Sequence, residues 1–525
     1  MKKLVLVGMM SLVVFLAGCS AEMDYAGEPN YYSDKSYNIE SGDAYLSSID
    51  GNSEFSGEGY KEIRENPFIG TMDMQVSTFS ADVDTASYSN MRRMLVEADR
   101  MPDVDSIRIE ELVNYFDYEL ANPTEEDVFG VTTELAVAPW NENHQLLMIG
   151  LTTEEVDFEN VPGNNLVFLL DTSGSMNNSN KLPLLINAIK LLVDNLRPID
   201  RISIVTYAGS AGLVLDGADG ADREAIINAL DDLSAGGSTA GGAGINLAYN
   251  VALNHFIEGG NNRVILGTDG DFNVGVSSDG GLEDLIVQKR ESGVFLSVLG
   301  FGTGNLQDGK METLADKGNG VYYYIDSILE AKKVFVTELG ASLITVAKDV
   351  KFQVEFNPLN VKGYRLIGYE NRVLNYDDFD NDEIDAGDIG AGHVVIAFYE
   401  LIPADSDEEI DTREFELVEE LKYNGENHPD ETMTLSIRYK DPDSDTSELS
   451  QYVVESNAMT TTPSETFMFA SSVVEFGLLL RNSEYKGTAT YESVISRASM
   501  SLGVDAEGYR DEFLDLVEIA KLIDN

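Results

Sequence analysis

A buried strand that ends in a cluster of side-chain oxygens constrains this chain more than any other feature. The apolar run 166–170 leads directly into a turn that carries Asp171, Ser173 and Ser175. A short run that is apolar throughout is typical of a strand buried on both faces, as in parallel sheets. Ligands of such sheets bind at the carboxyl ends of the strands. One carboxylate and two hydroxyls at that position suit a hard divalent cation such as Mg²⁺ better than zinc or copper.

Strand-like and helix-like segments alternate from residue 164 to about residue 345. The predicted strands lie at 166–171, 201–208, 263–268, 294–301 and 321–325, and the predicted helices at 181–196, 223–233, 245–256 and 282–292. This alternation predicts an α/β domain with a doubly wound, mostly parallel, Rossmann-like sheet covered by helices on both faces. We assign this domain to residues 161–345.

The flanking segments predict an antiparallel β-sandwich that the parallel domain interrupts. Strand-like runs at 131–138 and 146–151 precede the parallel domain, and alternating apolar and polar residues at 352–356 and 433–439 follow it. We expect the early and late strands to pair across the insertion. Helical patterns near both ends of the body should then pack close to each other. The predicted segments are 66–160 (helices and first strands), 346–462 (sandwich) and 463–525 (C-terminal helices).

The N-terminus has the pattern of a secretion signal. Lys2 and Lys3 precede an apolar stretch, 4–16, which is too short to span a bilayer. The sequence that ends at Cys19 resembles a bacterial lipobox, so that 1–19 would be a signal peptide and Cys19 the lipidated first residue of the mature chain. This resemblance further implies that Ser20 favours the outer membrane of a double-membraned cell. The alternative is a generic secretory signal with an incidental cysteine.

Composition limits the partners and the surroundings of the chain. It has 525 residues, of which 92 are acidic and 35 basic, and a formal net charge of −57. Such a surface repels nucleic acid and anionic lipid headgroups, so we expect no nucleic-acid partner. Residues 20–65 are rich in Ser, Gly, Asn, Asp and Tyr without an apolar period, which predicts a flexible tether. Cys19 is the only cysteine of the sequence, so an internal disulfide is excluded.

Further oxygen ligands are available at two other loops. Thr239 lies in the glycine-rich stretch 236–242, and Asp269 follows the strand predicted at 263–268. Together with the first turn they form the pattern D-x-S-x-S, T, D. This pattern resembles the metal-ion-dependent adhesion site of von Willebrand factor type A (vWA) domains, with all five positions present.

The resemblance implies a role for each of these five residues. Ser173 and Ser175 would bind the cation directly, and Thr239 directly or through water. Asp171 and Asp269 would act mostly through water or hydrogen bonds. The other interpretation is a degenerate vWA domain in which the serines only cap the following helix.

A resemblance to a more specific group of proteins covers nearly all residues after the tether. The stretches 235–242 and 268–275 resemble those of YfbK-type vWA lipoproteins of bacteria, as do 66–68, 369–372 and the C-terminal region. A lipid-anchored protein of the cell envelope is therefore expected.

The expected function is binding. Neutral hydroxyl ligands leave the cation electron-poor with one open position, which a carboxylate from another molecule can fill. The sequence thus predicts adhesion or scaffolding through a divalent cation, Mg²⁺ or else Mn²⁺ or Ca²⁺, that captures an Asp or Glu of a protein partner. No general base is evident near the turn, so we expect no enzymatic activity. The alternatives are a cation that only stabilises loops and a metal-dependent hydrolase.

Three other features are weaker candidates for a ligand-binding or catalytic site. The acidic loop 377–388 lacks the glycine and final glutamate spacing of an EF-hand, although calcium binding there stays open. The glycines of 300–304 resemble a dinucleotide-binding loop, but Asn305 stands where its last glycine would be, so we predict an ordinary turn at the end of a strand. The four histidines show no ligand or triad spacing, and we expect structural roles for them; they are His144, His255, His393 and His428.

Overall fold

A computed structural model gives the arrangement of most of the body. It describes residues 57–81, 84–124, 127–155, 161–236, 241–270, 279–338, 344–413, 415, 418, 421–424, 428–442, 444 and 446–524. Cys19, the predicted signal peptide and most of the predicted tether lie outside the described residues, as does Thr239. All described residues belong to the unit Phe55–Asn525.

The described residues form strands and helices whose bounds are as follows. The strands are β1 (Ile69–Gly70), β2 (Val76–Ser80), β3 (Phe129–Ala138), β4 (Asn141–Thr153), β5 (Asn164–Asp171), β6 (Arg201–Tyr207), β7 (Ala211–Asp219), β8 (Asn261–Thr268), β9 (Phe295–Phe301), β10 (Tyr322–Ile325), β11 (Thr345–Phe356), β12 (Val361–Ile367), β13 (Val373–Leu374), β14 (Gly387–Gly390), β15 (Val394–Pro403), β16 (Glu431–Lys440) and β17 (Ser447–Glu455). The helices are α1 (Ala86–Val96), α2 (Ile109–Val113), α3 (Leu182–Val193), α4 (Arg223–Asp231), α5 (Gly241–Asn254), α6 (Asp279–Arg290), α7 (Asp308–Lys317), α8 (Ile328–Lys332), α9 (Glu465–Leu480), α10 (Tyr491–Ser499) and α11 (Tyr509–Asp524).

The central domain is built on a six-stranded sheet in the order β10-β9-β8-β5-β6-β7. All neighbours in it are parallel except β6 and β7, which are antiparallel. The five predicted strands form this sheet, so the predicted fold class is confirmed. The edge strand β7 was not predicted, because its residues are largely half-exposed and lack a continuous apolar run.

The strand β5 is apolar throughout because both of its faces are covered. Leu166, Phe168 and Leu170 pack on one side of the sheet with residues of α3 and α4. Val167 and Leu169 pack on the other side with residues of α5, α6 and α7. Successive side chains of a strand point to opposite faces, so this run supplies both cores of the domain.

Two antiparallel sheets form the sandwich, in the orders β1-β12-β15-β4-β3 and β13-β2-β11-β16-β17. The strand β4, which precedes the parallel domain, pairs with β15, which follows it, with Met148 opposite Phe398. The expected pairing across the insertion is therefore confirmed. The core between the two sheets contains aromatic residues of both, including Phe352 and Tyr399.

A layer of helices covers the outer face of the sheet that contains β4. Leu147 and Ile149 face the sandwich core, whereas Leu146 and Met148 face the helices. The N-terminal and C-terminal helices share this layer, as expected: the ring of Phe116 lies 5.0 Å from that of Phe469 in α9. The mostly apolar α9 is buried here. In the described part of the chain, no helix has both the length and the apolar character that crossing a membrane requires.

The N-terminal helical pattern is shorter than the sequence predicts. The sequence predicts helices at the start of the segment 66–160, but α1 ends at Val96 and α2 spans only five residues. Between them, Asp103 accepts a hydrogen bond from the backbone N–H of Asp105 at 3.1 Å and caps a short 3-10 helix.

Candidate metal centre

The candidate site lies where the strand order of the parallel sheet reverses. From β5 the chain proceeds to β6 on one side, and later returns to β8 on the other side of β5. Asp171 is the last residue of β5, and Asp269 directly follows β8. The crevice outside the carboxyl ends of such strands is the usual ligand site of an open α/β sheet.

The turn after β5 gathers the predicted oxygen atoms. The backbone N–H of Ser173 donates to Oδ1 of Asp171 at 2.8 Å. The hydroxyl oxygens of Ser173 and Ser175 lie 3.0 Å apart. Asp171 and Ser173 are buried, whereas Ser175 is exposed. The turn therefore joins an interior carboxylate to a hydroxyl at the protein surface.

Two neighbouring loops are tied to this turn. The backbone N–H of Gly236 donates to the carbonyl of Thr172 at 2.7 Å, so the loop that carries Thr239 begins beside the site. Thr239 itself lies outside the described residues. Asp269 comes from β8 and interacts with the hydroxyl of Ser175, which helps to lower the pKa of this carboxylate.

A lysine that the sequence analysis did not single out completes the described part of the site. The ammonium of Lys181 donates to Oδ2 of Asp269 at 2.8 Å and to Oδ1 of Asn305 at 2.9 Å. Lys181 is only 3% exposed and Asp269 is fully buried. The ion pair is therefore an interior feature and is weakly screened by solvent.

The two carboxylates have opposite pKa shifts. Burial raises the pKa of Asp171 to about 6, against the lowering effect of hydrogen bonds from Ser173 and of the Tyr207 hydroxyl. Burial also acts to raise the pKa of Asp269, but hydrogen bonds from Lys181, Asn305 and Ser175 outweigh it, and the pKa is lowered. Asp269 is thus held ionised, and Asp171 lacks a comparable cationic partner among the described residues.

The loop 302–307 forms one wall of the site and is held by hydrogen bonds to residues 57–59. Gly270, with φ of +96°, lies so close to this loop that an added Cβ would meet the backbone nitrogen of Gln307 at 2.5 Å. The backbone N–H of Gly304 donates to Oε1 of Glu58 at 2.9 Å, and that of Gly59 donates to the carbonyl of Leu306 at 2.9 Å. Residues 57–60, which the sequence places in the tether, therefore contact the loop that carries Asn305.

The residues present fit a divalent cation. Oδ2 of Asp171 is buried and has no hydrogen-bond partner of good geometry among the described residues. It belongs to the carboxylate that holds Ser173, whose hydroxyl faces that of Ser175. In the described part of the chain, no group of three or more His, Cys, Asp or Glu residues could hold a metal. A cation at this turn would thus depend on hydroxyl ligands, which is the donor set of a hard ion.

The structure brings together four of the five predicted metal-site residues, Asp171, Ser173, Ser175 and Asp269, and leaves the fifth undescribed. Sequence reasoning missed Lys181 and Asn305. A signal for Lys181 was present in the sequence, because it is the first basic residue after the turn. Two buried carboxylates require a positive charge nearby, and Lys181 was the nearest candidate along the chain. No local pattern points to Asn305, because only folding brings its loop to Lys181.

The weaker candidates have structural explanations. Basic side chains surround the acidic loop 377–388: Lys351 donates to the carbonyls of Asp378 and Asn381, and Arg438 pairs with Asp380 at 3.1 Å. The glycine-rich stretch 300–304 contains the end of β9 and the start of the loop that follows it, as predicted, with positive φ at Gly302 and Gly304. His144 lies in a buried hydrogen-bond network.

The sequence matches three family profiles that together cover most of the chain. The profile described as von Willebrand factor type A domain matches residues 165–336, and one described as von Willebrand factor matches residues 54–148. The third, described as the C-terminal region of the uncharacterized protein YfbK, matches residues 341–523. The parallel sheet, the turn after β5 and the first of these matches define a vWA-domain protein.

A more specific relationship follows from a relative of similar length. The uncharacterized protein YfbK of Escherichia coli (strain K12) is 42% identical over 468 residues, which cover 88% of this chain and 80% of that protein. The chain therefore belongs to the YfbK family of vWA-domain proteins.

Solved structures of vWA proteins are also similar to this chain. Von Willebrand factor type A from Catenulispora acidiphila is 16% identical, with 77% of this chain and 91% of that chain covered and a TM-score of 0.41. Proximal thread matrix protein 1 from the mussel byssus, in a structure with a zinc-occupied MIDAS motif, is 26% identical, with 36% and 47% covered and a TM-score of 0.29.

Proposed function

We propose that this protein is a binding module of the cell envelope that captures an acidic residue of a protein partner through a divalent cation. The cation, Mg²⁺ in our proposal, is held by Asp171, Ser173, Ser175, Thr239 and Asp269. The activity is adhesion or scaffolding, with no chemical turnover.

One observation carries this proposal. Oxygen atoms from β5 and β8 converge at the reversal of strand order, and among them Oδ2 of Asp171 is buried without a well-formed hydrogen bond to a described residue. A buried carboxylate oxygen without a well-formed hydrogen bond is unfavourable, and a bound cation lowers that cost. The exposed Ser175 leaves a route from solvent to the same oxygens.

The chemistry favours capture of a carboxylate. A divalent cation held by neutral hydroxyls keeps an affinity for anionic oxygen at its open position. This resolves an apparent conflict, because a protein with a net charge of −57 would otherwise repel acidic partners. The metal supplies the local positive charge that the surface lacks.

The location we propose is the outer membrane of a double-membraned bacterium, with the chain anchored by lipid on Cys19. The support is the sequence pattern around Cys19, which resembles a lipobox, and the tether-like composition that follows it. A tethered body can reach partners at a distance from the lipid surface.

The test measures Mg²⁺ binding by titration calorimetry for wild type and Ser173→Ala. We expect the variant to lose at least about tenfold in Mg²⁺ affinity, because a hydroxyl ligand is removed while the buried core is unchanged. A short blocked peptide with one aspartate should bind wild type only with Mg²⁺ present, and should not bind Ser173→Ala.

Ser179→Ala, at an exposed serine further along the same loop, is the matched control and should behave as wild type. Equal Mg²⁺ affinity in Ser173→Ala and wild type would refute the ligand assignment. Peptide binding that persists in EDTA would refute capture through the metal and would leave the cation a purely stabilising role.

A further inference from the structure

The side chain of Lys181 reaches the candidate metal centre from outside the motif. Lys181 immediately precedes α3, and its ammonium contacts Asp269 at 2.8 Å in the interior. A buried lysine is costly unless it is paired, so its retention here calls for an explanation in terms of the site.

The aliphatic part of the Lys181 side chain packs closely against Gly302. Gly302 has φ of +76°, and a Cβ added there would meet Cε and Cγ of Lys181 at 2.3 and 2.4 Å. The side chain of Asn305 accepts a second hydrogen bond from the ammonium at 2.9 Å. Both residues belong to the loop 302–307, so this loop fixes the position of the lysine's charge.

The charges of the site can be added directly. Asp171 and Asp269 contribute two negative charges when ionised, and Lys181 contributes one positive charge. A divalent cation would balance the charge of the two carboxylates if the lysine were absent. With Lys181 present, the loaded site carries one surplus positive charge in a poorly screened environment.

We propose that Lys181 is a counter-cation that stabilises Asp269 when no metal is bound and leaves the metal-loaded site with one positive charge in excess, so that an acidic ligand is needed to neutralise it. This inference rests on the proposed metal-dependent function. Metal and acidic ligand then bind cooperatively, because each relieves the charge imbalance that the other leaves.

Two consequences separate this role from simple packing. Without metal, the Lys181–Asp269 pair helps to keep the site folded, so chelator should lower the melting temperature of wild type less than that of a variant without the lysine charge. With Lys181 replaced by an uncharged side chain, Asp269 becomes an unpaired buried carboxylate that only a cation can compensate.

The experiment compares wild type with Lys181→Met in chloride buffer free of carboxylates. Calorimetry should give Mg²⁺ affinity roughly tenfold higher for Lys181→Met, because a repelling charge beside the cation is gone. Thermal melting should show a drop for Lys181→Met in EDTA that Mg²⁺ restores, whereas wild type responds little. Adding sodium acetate should increase the Mg²⁺ affinity of wild type more than that of the variant.

Two controls keep the result interpretable. Lys190→Met removes an ammonium of α3 that pairs with Asp231 at the surface, and this variant should match wild type in every measurement. Lys181→Arg retains the charge and should keep the chelator resistance of wild type. If Lys181→Met does not fold, Lys181→Arg is the variant to measure. Because it keeps the positive charge, it should fold and bind Mg²⁺ as wild type does.

The outcomes distinguish this inference from the proposed function. If wild type binds Mg²⁺ and Lys181→Met has the same affinity and the same response to EDTA, the inference is overturned while the metal site stands. If neither protein binds Mg²⁺ although both fold, the metal site and the inference fail together.

Discussion

At the scale of single residues, His144 illustrates how charge is balanced inside the sandwich. Its Nδ1 lies 2.6 Å from Oε1 of Glu400, and its Nε2 lies 2.8 Å from Oε2 of Glu408. Arg365 contacts the other oxygen of Glu400 at 2.8 Å. Burial acts to lower the pKa of His144, but the hydrogen bonds and charges of Glu400 and Glu408 outweigh it, so the pKa is raised.

This arrangement predicts a pH-dependent contribution to stability. The folded pKa of His144 lies above its ordinary value of 6.5, so its stabilisation is fully present below that value and is lost as the pH rises through the folded pKa. We expect His144→Gln to lose about 1.5–3 kcal/mol of unfolding free energy near pH 6. The loss should shrink clearly in alkaline buffer.

Urea unfolding of both proteins at two pH values measures this difference. His255→Gln is the control, since His255 pairs with Asp216 nearer the surface and should have a smaller effect. A destabilisation by His144→Gln that does not change with pH would contradict the protonated network.

At the scale of elements, Arg92 in α1 connects three parts of the body. Its guanidinium contacts Asp326 after β10 and Glu330 in α8, both at 2.7 Å, and Glu512 in α11 at 2.9 Å. The side chains of Arg92, Asp326 and Glu330 are nearly inaccessible to solvent. The network therefore fixes the vWA domain against the helical layer.

Arg92→Met should reduce the unfolding free energy by about 3–5 kcal/mol, because two buried carboxylates lose their cation. Lys332→Met removes an exposed pair between α8 and Glu507 and should cost no more than about 1 kcal/mol. Denaturant unfolding followed by the fluorescence of Trp140, the only tryptophan, measures both. Equal effects of the two variants would show that the buried network does not hold these elements together.

At the scale of the whole molecule, residues 57–60 lie beside the candidate metal centre, far from it in sequence. Residues 57–60 contact the loop 302–307, and the predicted tether and lipidation site precede them. In the proposed function, a partner captured at the site would be bound near residues 57–60.

Anchoring can be tested on the full chain in a double-membraned bacterium. We expect the wild-type protein to incorporate labelled palmitate and to fractionate with the outer membrane, and Cys19→Ser to be unlabelled and released from the membrane. Ser20→Asp should remain lipidated but move to the inner membrane. Retention of Cys19→Ser in the membrane fraction would contradict the lipid anchor.

Most of the fold and much of the site were predictable because their signals are local. The apolar run of β5 is adjacent in sequence to Asp171, Ser173 and Ser175, so strand and turn follow from neighbouring residues. Likewise, the alternating pattern of the late strands follows from burial of one face of a sheet. The edge strand β7 carries no such signal, because most of its residues stay partly in contact with solvent.

The sequence by itself determined the order of the strands and helices and the oxygen ligands in the turn after β5. Both follow from short segments, because periodicity and adjacency are local properties of a chain. Only the tertiary structure decided that Lys181 meets Asp269, that residues 57–60 hold the loop 302–307, and that Arg92 joins three elements. These contacts join residues far apart in the chain, and their partners are selected by the packing of whole layers. No short stretch of sequence contains that information.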